Sequence, residues 1–382
     1  MNARYVNPIG LVLTGGGSRG AYQAGVLKGL SEISKDCPTE LCFDVLSGMS
    51  AGAINATYCA TVLDQVHEGI ENLCRMWASL RPQDIYRSDI GSLGKISLSW
   101  ITDLSFGAFS HKKRIQHLLD TTPLSSFLKD KLQFHRIQKN IDAGRLRALS
   151  VASYCYQTEQ TVSFTQGVEG LEPWSRPRRR SEFCKIGLEH VLASSAVPLL
   201  FSQVKIQDKG FFGDGSLRNT APLSSAINLG ARKILVVGVR HRRALPEQDL
   251  SVYPTVARIF GLFLNALFFD PIEVDIERLF HVNKILENTS ASRQEGLPFR
   301  KIDFYLIRPS KDIAPLAEEA SKNLPKTIQY LLGGLGNRKE YATLASYILF
   351  HSSFTEQLVE MGYKDCLSQK DQILEFMERE SF

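Results

Sequence analysis

The chain has 382 residues, of which 43% are hydrophobic, and its formal net charge is +5. A chain of this length can bury a large core, as one sizeable domain or a domain with an appendage. The net charge is too small to indicate a class of binding partner. Seven cysteines without regular spacing indicate reduced thiols and folding inside a cell, and no cysteine–histidine pattern typical of a metal site is present.

Residues 1–8 are polar and lead directly into the first predicted strand, so we expect no secretory signal and a cytoplasmic location. Peripheral attachment to a membrane, and export without a cleaved leader, are both compatible with this pattern. No run of 18 or more apolar residues predicts a membrane span. The longest apolar run, residues 259–269, predicts a core helix, with a membrane-facing helix as the alternative.

Five apolar segments rich in β-branched or aromatic residues predict strands, with helical stretches between them. They are 9–14, 43–47, 147–155, 233–239 and 302–308. The alternation predicts an α/β fold, a three-layer sandwich with a mostly parallel central sheet and helices on both faces. Residues 205–212, interrupted by a glycine turn, predict a hairpin that leads into Asp214.

A glycine-rich loop follows the first predicted strand. It consists of Gly15, Gly16, Gly17, Ser18, Arg19 and Gly20, and a helical pattern follows it. Consecutive glycines allow main-chain N–H groups to point together at an anion, either a phosphate or the oxyanion of an acyl-transfer intermediate. Arg19 either neutralises charge near the loop or anchors the turn to a carboxylate.

The same loop also fits the G-x-G-x-x-G pattern of dinucleotide-binding proteins, so a nicotinamide oxidoreductase is an alternative. That function needs an acidic residue at the end of the second strand, whereas Asp44 precedes the strand. A P-loop is excluded because no Gly-Lys-Ser/Thr closes the loop.

A second motif, Gly48-Met49-Ser50-Ala51-Gly52, lies between an apolar run and a helical pattern. A serine in a G-x-S-x-G of this kind lies on a sharp strand-to-helix turn with its hydroxyl exposed. It also begins a helix, where free N–H groups favour negative charge. The pattern indicates a nucleophile.

These motifs resemble those of the patatin-like phospholipase family, whose pattern is a G-G-G-x-R/K-G loop, a G-x-S-x-G and a distant D-G-G or D-G-A. The third motif reads Asp214-Gly215-Ser216 here, and residues 193–198 are similar to the A-S-x-A-x-P segment that precedes it in the family. The resemblance covers residues 8–240. Ser216 departs from the glycine or alanine of the family, which puts the packing beside Asp214 in question.

The resemblance implies a catalytic dyad, with Ser50 as nucleophile and Asp214 as base, and no cofactor or metal. It also implies an oxyanion hole from residues 15–20, a nucleophile elbow flanked by Gly48 and Gly52, and a proton-acceptor motif that includes Gly215 and Ser216. An ordinary aspartate, with a pKa of about 3.9, is a poor base at neutral pH. Burial would raise that pKa, and the two phenylalanines that precede Gly213 are consistent with an apolar site.

A histidine is not expected to complete a triad. The chain has eight histidines, and His241 and His281 alone attract attention by following Asp214 at a moderate distance. His241 lies in a basic loop pattern and His281 in a helical pattern. We therefore expect surface or packed histidines.

Three further segments have more than one possible role. Residues 81–135 form an insertion that is either a lid, a lipid-facing cap or an ordinary helical connection. Residues 176–180 form a loop with four arginines after Trp174, which either suits an anionic headgroup surface or is simply solvated. Residues 311–382 predict a helical C-terminal appendage to a catalytic domain of residues 1–310.

The function that fits best is a serine acyl-ester hydrolase of the phospholipase A or lysophospholipase type, acting on phospholipid or lysophospholipid at a membrane surface. A catalytically silent lipid-binding or scaffold protein of the same fold is the alternative, and the dinucleotide oxidoreductase is the third. Nucleic acid is not an expected partner, since no recognition motif is present. The oligomeric state is left open.

Overall fold

The computed structural model describes residues 7–35, 43–87, 118–242, 253–290, 297 and 299–379. Ten strands of this part form one sheet, with β7 and β8 as a hairpin beside the main path of β10-β9-β1-β2-β3-β4-β6-β5. The strands are β1 (Ile9–Leu13), β2 (Val45–Met49), β3 (Ala148–Cys155), β4 (Gln160–Gly167), β5 (Ser175–Arg176), β6 (Arg179–Phe183), β7 (Val204–Ile206), β8 (Gly210–Asp214), β9 (Lys233–Val237) and β10 (Asp303–Ile307).

All five predicted strands are present, and they run parallel to one another in the order β10-β9-β1-β2-β3, while β3 pairs antiparallel with β4 and β8. The second strand begins and ends two residues later than predicted, because Gly48 and Met49 of the serine motif continue it. The predicted hairpin before Asp214 is also confirmed, as β7 and β8. The sequence prediction missed β4, in which only Val162 and Phe164 of the buried positions are apolar and the others carry threonine, serine and glutamine.

Helices cover both faces of the sheet. They are α1 (Gly20–Lys35), α2 (Ala51–Thr61), α3 (Val66–Ala78), α4 (Pro82–Ile85), α5 (Thr122–Lys131), α6 (His135–Asp142), α7 (Leu188–Ser194), α8 (Ser224–Asn228), α9 (Val256–Phe268), α10 (Asp270–Glu287), α11 (Ala314–Ala320), α12 (Lys326–Gly333), α13 (Arg338–Ile348), α14 (Ser352–Leu367) and α15 (Lys370–Glu378). One large core lies on the side of α1, α2 and α14, and a smaller one lies under α8 and α10. The three-layer α/β sandwich with a helical C-terminal part is therefore confirmed.

The C-terminal helices share the main core with the sheet. Helix α14 packs against α1 so closely that a Cβ atom on Gly25 would collide with the carbonyl of Val359, and one on Gly362 with the carbonyl of Tyr22. Phe354 and Leu358 of α14 are fully buried in the same core. The domain boundary at residue 310 stays a prediction, but the helices beyond it are bound to the first helix of the chain.

The structure corrects the conformation of one of the two segments that were predicted to face lipid. The arginine-rich segment 176–180 is not a loop but a hairpin of β5 and β6, in which Arg179 donates to the Ser224 hydroxyl and Arg180 forms an ion pair with Glu182. Within the insertion, residues 88–117 lie outside the described residues, so its role as a lid stays a prediction. Among the helices described, none combines the length and the apolar character needed to cross a membrane.

Candidate active site

Ser50 lies at a strained turn between β2 and α2. Its φ of 54° is in the left-handed region, which costs a residue other than glycine roughly 1–3 kcal/mol and is typical of functional sites. Its two flanking glycines are required by close approach, because a Cβ on Gly48 would collide with the carbonyl of Gly52, and one on Gly52 with the carbonyl of Leu13. The predicted nucleophile elbow has this geometry.

The sheet register brings Asp214 beside Ser50. Strand β2 pairs with β3 as far as Met49 opposite Ala152. From the next residue of β3 onward, β8 pairs with β3 instead, with Asp214 opposite Ser153. The residue after the end of β2 and the last residue of β8 therefore meet at consecutive positions along β3, although they are far apart in sequence.

Asp214 is fully buried, and one of its carboxylate oxygens has a single main-chain donor. Its Oδ1 accepts from the N–H of Ser216 at 2.8 Å. Its Oδ2 has no partner of good hydrogen-bond geometry within the described chain. Burial raises the pKa of Asp214 to about 6, opposed by weaker interactions with the Ser50 hydroxyl and with Ser216. The Ser50 hydroxyl is thus near enough to affect this carboxylate, and catalytic hydrogen bonds are often long in structures without substrate.

The glycine loop presents main-chain donors toward this pair. Within the described part of the chain, the N–H groups of Gly15, Gly16 and Gly17 donate to no protein acceptor. Gly17 has a φ of 57°, and a Cβ there would collide with the carbonyl of Tyr347. Free N–H groups in a concave loop are the donors that an oxyanion needs.

Residues beyond the recognisable motifs hold the loop in place. The Arg19 guanidinium donates to the Ser346 hydroxyl from Nε at 2.9 Å and from Nη2 at 2.6 Å, and it lies over the rings of Phe269 and Tyr347. Ser18 donates to the main-chain carbonyl of Ser346 at 2.7 Å. Of the two roles expected for Arg19, anchoring of the turn is the one this geometry favours, with a hydroxyl and two rings as anchors.

Gly215 and Ser216 pack the Asp214 motif against β3 and the glycine loop. A Cβ on Gly215 would collide with the carbonyl of Ala152, so glycine is required there. A Cβ on Gly15 would lie 2.6 Å from the Ser216 hydroxyl oxygen, which itself has no partner in the described chain. The serine that departs from the family pattern is therefore accommodated, and it is packed against the glycine loop.

Sequence reasoning missed the polar side chains that support the elbow. The Ser194 hydroxyl accepts from the Ser50 N–H at 3.0 Å and donates to the carbonyl of Ala152 at 2.6 Å. The Ser195 hydroxyl donates to the carbonyl of Ser50 at 3.2 Å. Both serines lie in the segment 193–198, so its similarity to the family was the signal that could have identified them.

A second buried network lies beneath the glycine loop. The Trp77 indole donates to Asn55 Oδ1 at 2.7 Å, and Asn55 Nδ2 donates to the carbonyl of Gly20 at 3.0 Å and to Gln23. Gln23 in turn donates to the carbonyl of Thr14 at 2.8 Å. The network fixes both ends of the loop, since Thr14 precedes it and Gly20 ends it.

An apolar pocket opens from Ser50. Its open volume is about 30 Å³, which holds roughly two water molecules. Apart from Ser50 and Ser195 the lining is non-polar, and it includes Trp77, Phe127, Phe201 and Phe350 with aliphatic residues. Parts of the insertion contribute, because Ile85 lies in α4 and Phe127 in α5. The pocket suits a hydrocarbon chain but is too narrow for one in this conformation.

The described histidines have partners away from Ser50. His190 is buried and its ring accepts from the Gly187 N–H, His241 contacts the carbonyl of Pro309, and His67 contacts Ser31. His281 packs against Phe280 on α10, and His111 and His117 lie outside the described residues. Six histidines are thus in the part described, and none lines the pocket beside Ser50.

The alternatives for other ligands are not favoured. Asp44 accepts from the Ile9 N–H at 2.8 Å, at the amino end of the sheet, opposite the glycine loop. A ribose bound beside that loop could not reach it. No cluster of three His, Cys, Asp or Glu side chains that could hold a metal ion occurs in the described chain.

Comparisons with known proteins address the fold and the family. The sequence model described as "Patatin-like phospholipase" matches residues 11–227. No curated protein matches the sequence. Among solved structures, VipD from Legionella pneumophila is similar at 13% identity and a TM-score of 0.29, over 93% of this chain and 67% of that one.

Proposed function

The chain belongs to the patatin-like phospholipase family, and from this premise we propose that it is a serine acyl-ester hydrolase of the phospholipase A or lysophospholipase type. The family implies a lipid hydrolase in general. The finer proposal assigns Ser50 as nucleophile, Asp214 as base and the loop of residues 15–20 as oxyanion hole. The observation that carries it is the position of Ser50 beside a fully buried Asp214 whose Oδ2 has no hydrogen-bond partner among the described residues.

In the first half of the reaction, the Asp214 carboxylate takes the proton of the Ser50 hydroxyl as its oxygen bonds to the ester carbonyl carbon. The carbonyl oxygen becomes an oxyanion, which the N–H groups of Gly16 and Gly17 stabilise. Loss of one such donor typically costs about 3–4 kcal/mol of transition-state stabilisation. Collapse of the intermediate breaks the ester bond, and the leaving alcohol takes the proton from Asp214.

In the second half, water attacks the acyl-enzyme and gives a proton to Asp214. The bond to Ser50 then breaks, the serine oxygen recovers the proton, and a fatty acid leaves. A base with a pKa near 6 is better matched to neutral pH than an ordinary aspartate, and this supports the assignment of Asp214.

The apolar pocket is the proposed site of the acyl chain. Since its open volume is only about 30 Å³, its walls must separate before a lipid enters. Contact with a lipid surface is the proposed trigger, and peripheral membrane attachment is part of this proposal.

The test is mass spectrometry of a lipid panel incubated with the wild type, with Ser50→Ala and with Ser150→Ala. Ser150 is a matched control, because it is another buried serine of the sheet whose hydroxyl has no partner in the described chain. We expect fatty acid release by the wild type and by Ser150→Ala, and covalent labelling of both by a fluorophosphonate. Release by Ser50→Ala at the wild-type rate would refute the proposal. A folded wild type that is neither labelled nor active would favour the silent lipid-binding protein.

A further inference from the structure

Helix α9 is apolar on both of its sides but is covered on only one. Ala257, Gly261, Leu264 and Phe268 form the buried side, at the i, i+4, i+7 and i+11 spacing of one helix face. Val256, Ile259, Leu262 and Phe263 are exposed on the other. A helix that is apolar all round is normally fully buried in protein or in lipid, so the exposed side lacks its expected partner.

The start of α9 lies beside the segment that follows α12. The Ala257 N–H donates to the carbonyl of Leu335, which joins the start of α9 to the end of α12. Tyr330, Leu331 and Leu335 are exposed there as well. We call this surface the α9–α12 face; its members are Val256, Ile259, Leu262, Phe263, Tyr330, Leu331 and Leu335.

Basic side chains predominate on the two segments that form the α9–α12 face, and the acidic residues that directly follow these segments, Asp270 and Glu340, are engaged by Arg240 and by the Asn337 N–H. Residues 253–269 and 326–339 contain four basic residues and no acidic one. Lys326, Arg338 and Lys339 are exposed. This combination of apolar and basic side chains is typical of surfaces that bind anionic membranes. A second copy of the chain fits poorly, because a two-fold symmetric contact would place like charges together without counter-charges.

The face is joined directly to the catalytic loop. Phe268, at the end of α9, would lie 2.7 Å from a Cβ on Gly15, and its ring stacks on Tyr347. Tyr347 donates from its hydroxyl to Asn265 of the same helix at 2.9 Å. From Phe263 to Phe268 the helix rises only about 8 Å, so Leu262 and Phe263 lie within two turns of the residue that contacts the loop.

We propose that the α9–α12 face docks the enzyme on the surface of a bilayer that contains anionic phospholipid, with Ile259, Phe263 and Leu262 entering the interface. The arginine-rich hairpin of β5 and β6 is a weaker candidate, since Arg179 and Arg180 are engaged within the protein. The inference deepens the proposed function, because it names the surface through which that hydrolase meets its substrate.

The experiment measures co-sedimentation with vesicles, in a Ser50→Ala background so that the lipid stays intact. The docking variant is Ile259→Ser/Phe263→Ser, whose residues are 54% and 51% exposed. The matched control is Phe280→Ser/Ile285→Ser on α10, whose residues are 48% and 65% exposed. Vesicles consist of phosphatidylcholine alone, or of phosphatidylcholine with phosphatidylglycerol.

We expect the parent and the control to bind the phosphatidylglycerol vesicles, and the docking variant to bind them at least about tenfold more weakly. Lys326→Gln/Arg338→Gln/Lys339→Gln should lose the preference for phosphatidylglycerol and the sensitivity to salt. With Ser50 restored, the docking variant should hydrolyse a soluble short-chain ester at the wild-type rate. A wild type that binds vesicles but hydrolyses no ester would refute the proposed function while leaving the docking face standing.

Equal binding by the docking variant and its parent would overturn the inference. So would a parent that ignores vesicles and forms a dimer in sedimentation velocity that the docking variant lacks, since a second copy would then cover the face. Equal losses in the docking variant and the control would also overturn it, by showing that any exposed apolar pair has the same effect.

Discussion

Replacement of Asp214 by asparagine should abolish hydrolysis and at the same time stabilise the protein above pH 7. The carboxylate is fully buried, and burial raises its pKa from 3.8 to about 6. Two pKa units correspond to about 3 kcal/mol at 25 °C, which is the cost of keeping this charge in the folded state at high pH. Asparagine keeps the acceptor for the Ser216 N–H and removes the charge.

The sign of the pH dependence follows from the direction of the shift. Above the folded pKa of about 6, both the folded and the unfolded states carry the charge, and only the folded state pays for burying it. As the pH falls from about 6 toward about 4, the folded state takes up a proton first, so the wild type recovers stability. The advantage of Asp214→Asn should therefore be about 3 kcal/mol at pH 8 and close to zero at pH 4.

Urea unfolding of the wild type and of Asp214→Asn across this pH range measures the difference directly. Asp275→Asn is the control: this carboxylate of α10 is also largely buried, but it accepts from the Leu223 N–H and lies away from the site. It should keep full activity. For the wild type, kcat/KM on a soluble ester should fall about tenfold per pH unit below about 6, as Asp214 takes up a proton. An asparagine variant no more stable than the wild type at pH 8 would refute the reasoning from burial.

Three further substitutions test the loop and the pocket. Gly17→Ala should lower kcat at least about 100-fold, because the new Cβ collides with the carbonyl of Tyr347; Gly170→Ala, at another positive φ but in open space, should leave activity intact, and equal activity of the two would contradict the argument. Ser346→Ala removes the hydroxyl that holds Arg19 of the glycine loop. Steady-state kinetics should therefore show a fall of about tenfold in kcat with little change in KM, and a change in KM alone would argue against a positioning role. Phe350→Ala widens the apolar pocket, so a series of acyl chain lengths should show a shift toward longer chains, and an unchanged preference would place the chain elsewhere.

The sequence was most informative where chemistry depends on short segments. The glycine loop, the serine turn and the hairpin before Asp214 were each predictable, because glycines at fixed spacing after an apolar run leave few conformations open. The meeting of the glycine loop and the serine turn at one edge was predictable as well, since strands of a parallel sheet end at the same edge. That argument does not extend to Asp214, because β8 runs antiparallel to β3.

The supporting contacts were not predictable. The bond between Arg19 and Ser346 joins residues 327 positions apart, and no local pattern marks a serine in the middle of a helix as the partner of a loop. The strand β4 was missed because polar residues occupy most of its buried positions. Some of them find partners that only the folded state shows, as in the Ser163–Ser225 pair with helix α8. The segment 259–269 was predicted as a core helix or a membrane-facing helix; the structure buries one side of it in the core and leaves the other exposed, and the membrane-facing role stays a prediction.

The hydrogen bonds between Arg19 and Ser346 affect when the site can form during synthesis of the protein. A growing polypeptide exposes its beginning first, and domains start to fold as they emerge. Here the serine turn and the aspartate are both synthesised well before the helix that steadies the glycine loop, and α1 cannot pack on α14 until residues 352–367 have been made. A growing chain that has not reached Ser346 would thus carry its nucleophile without a settled oxyanion loop, and the proposed hydrolase activity would reach full strength only after that residue has been added.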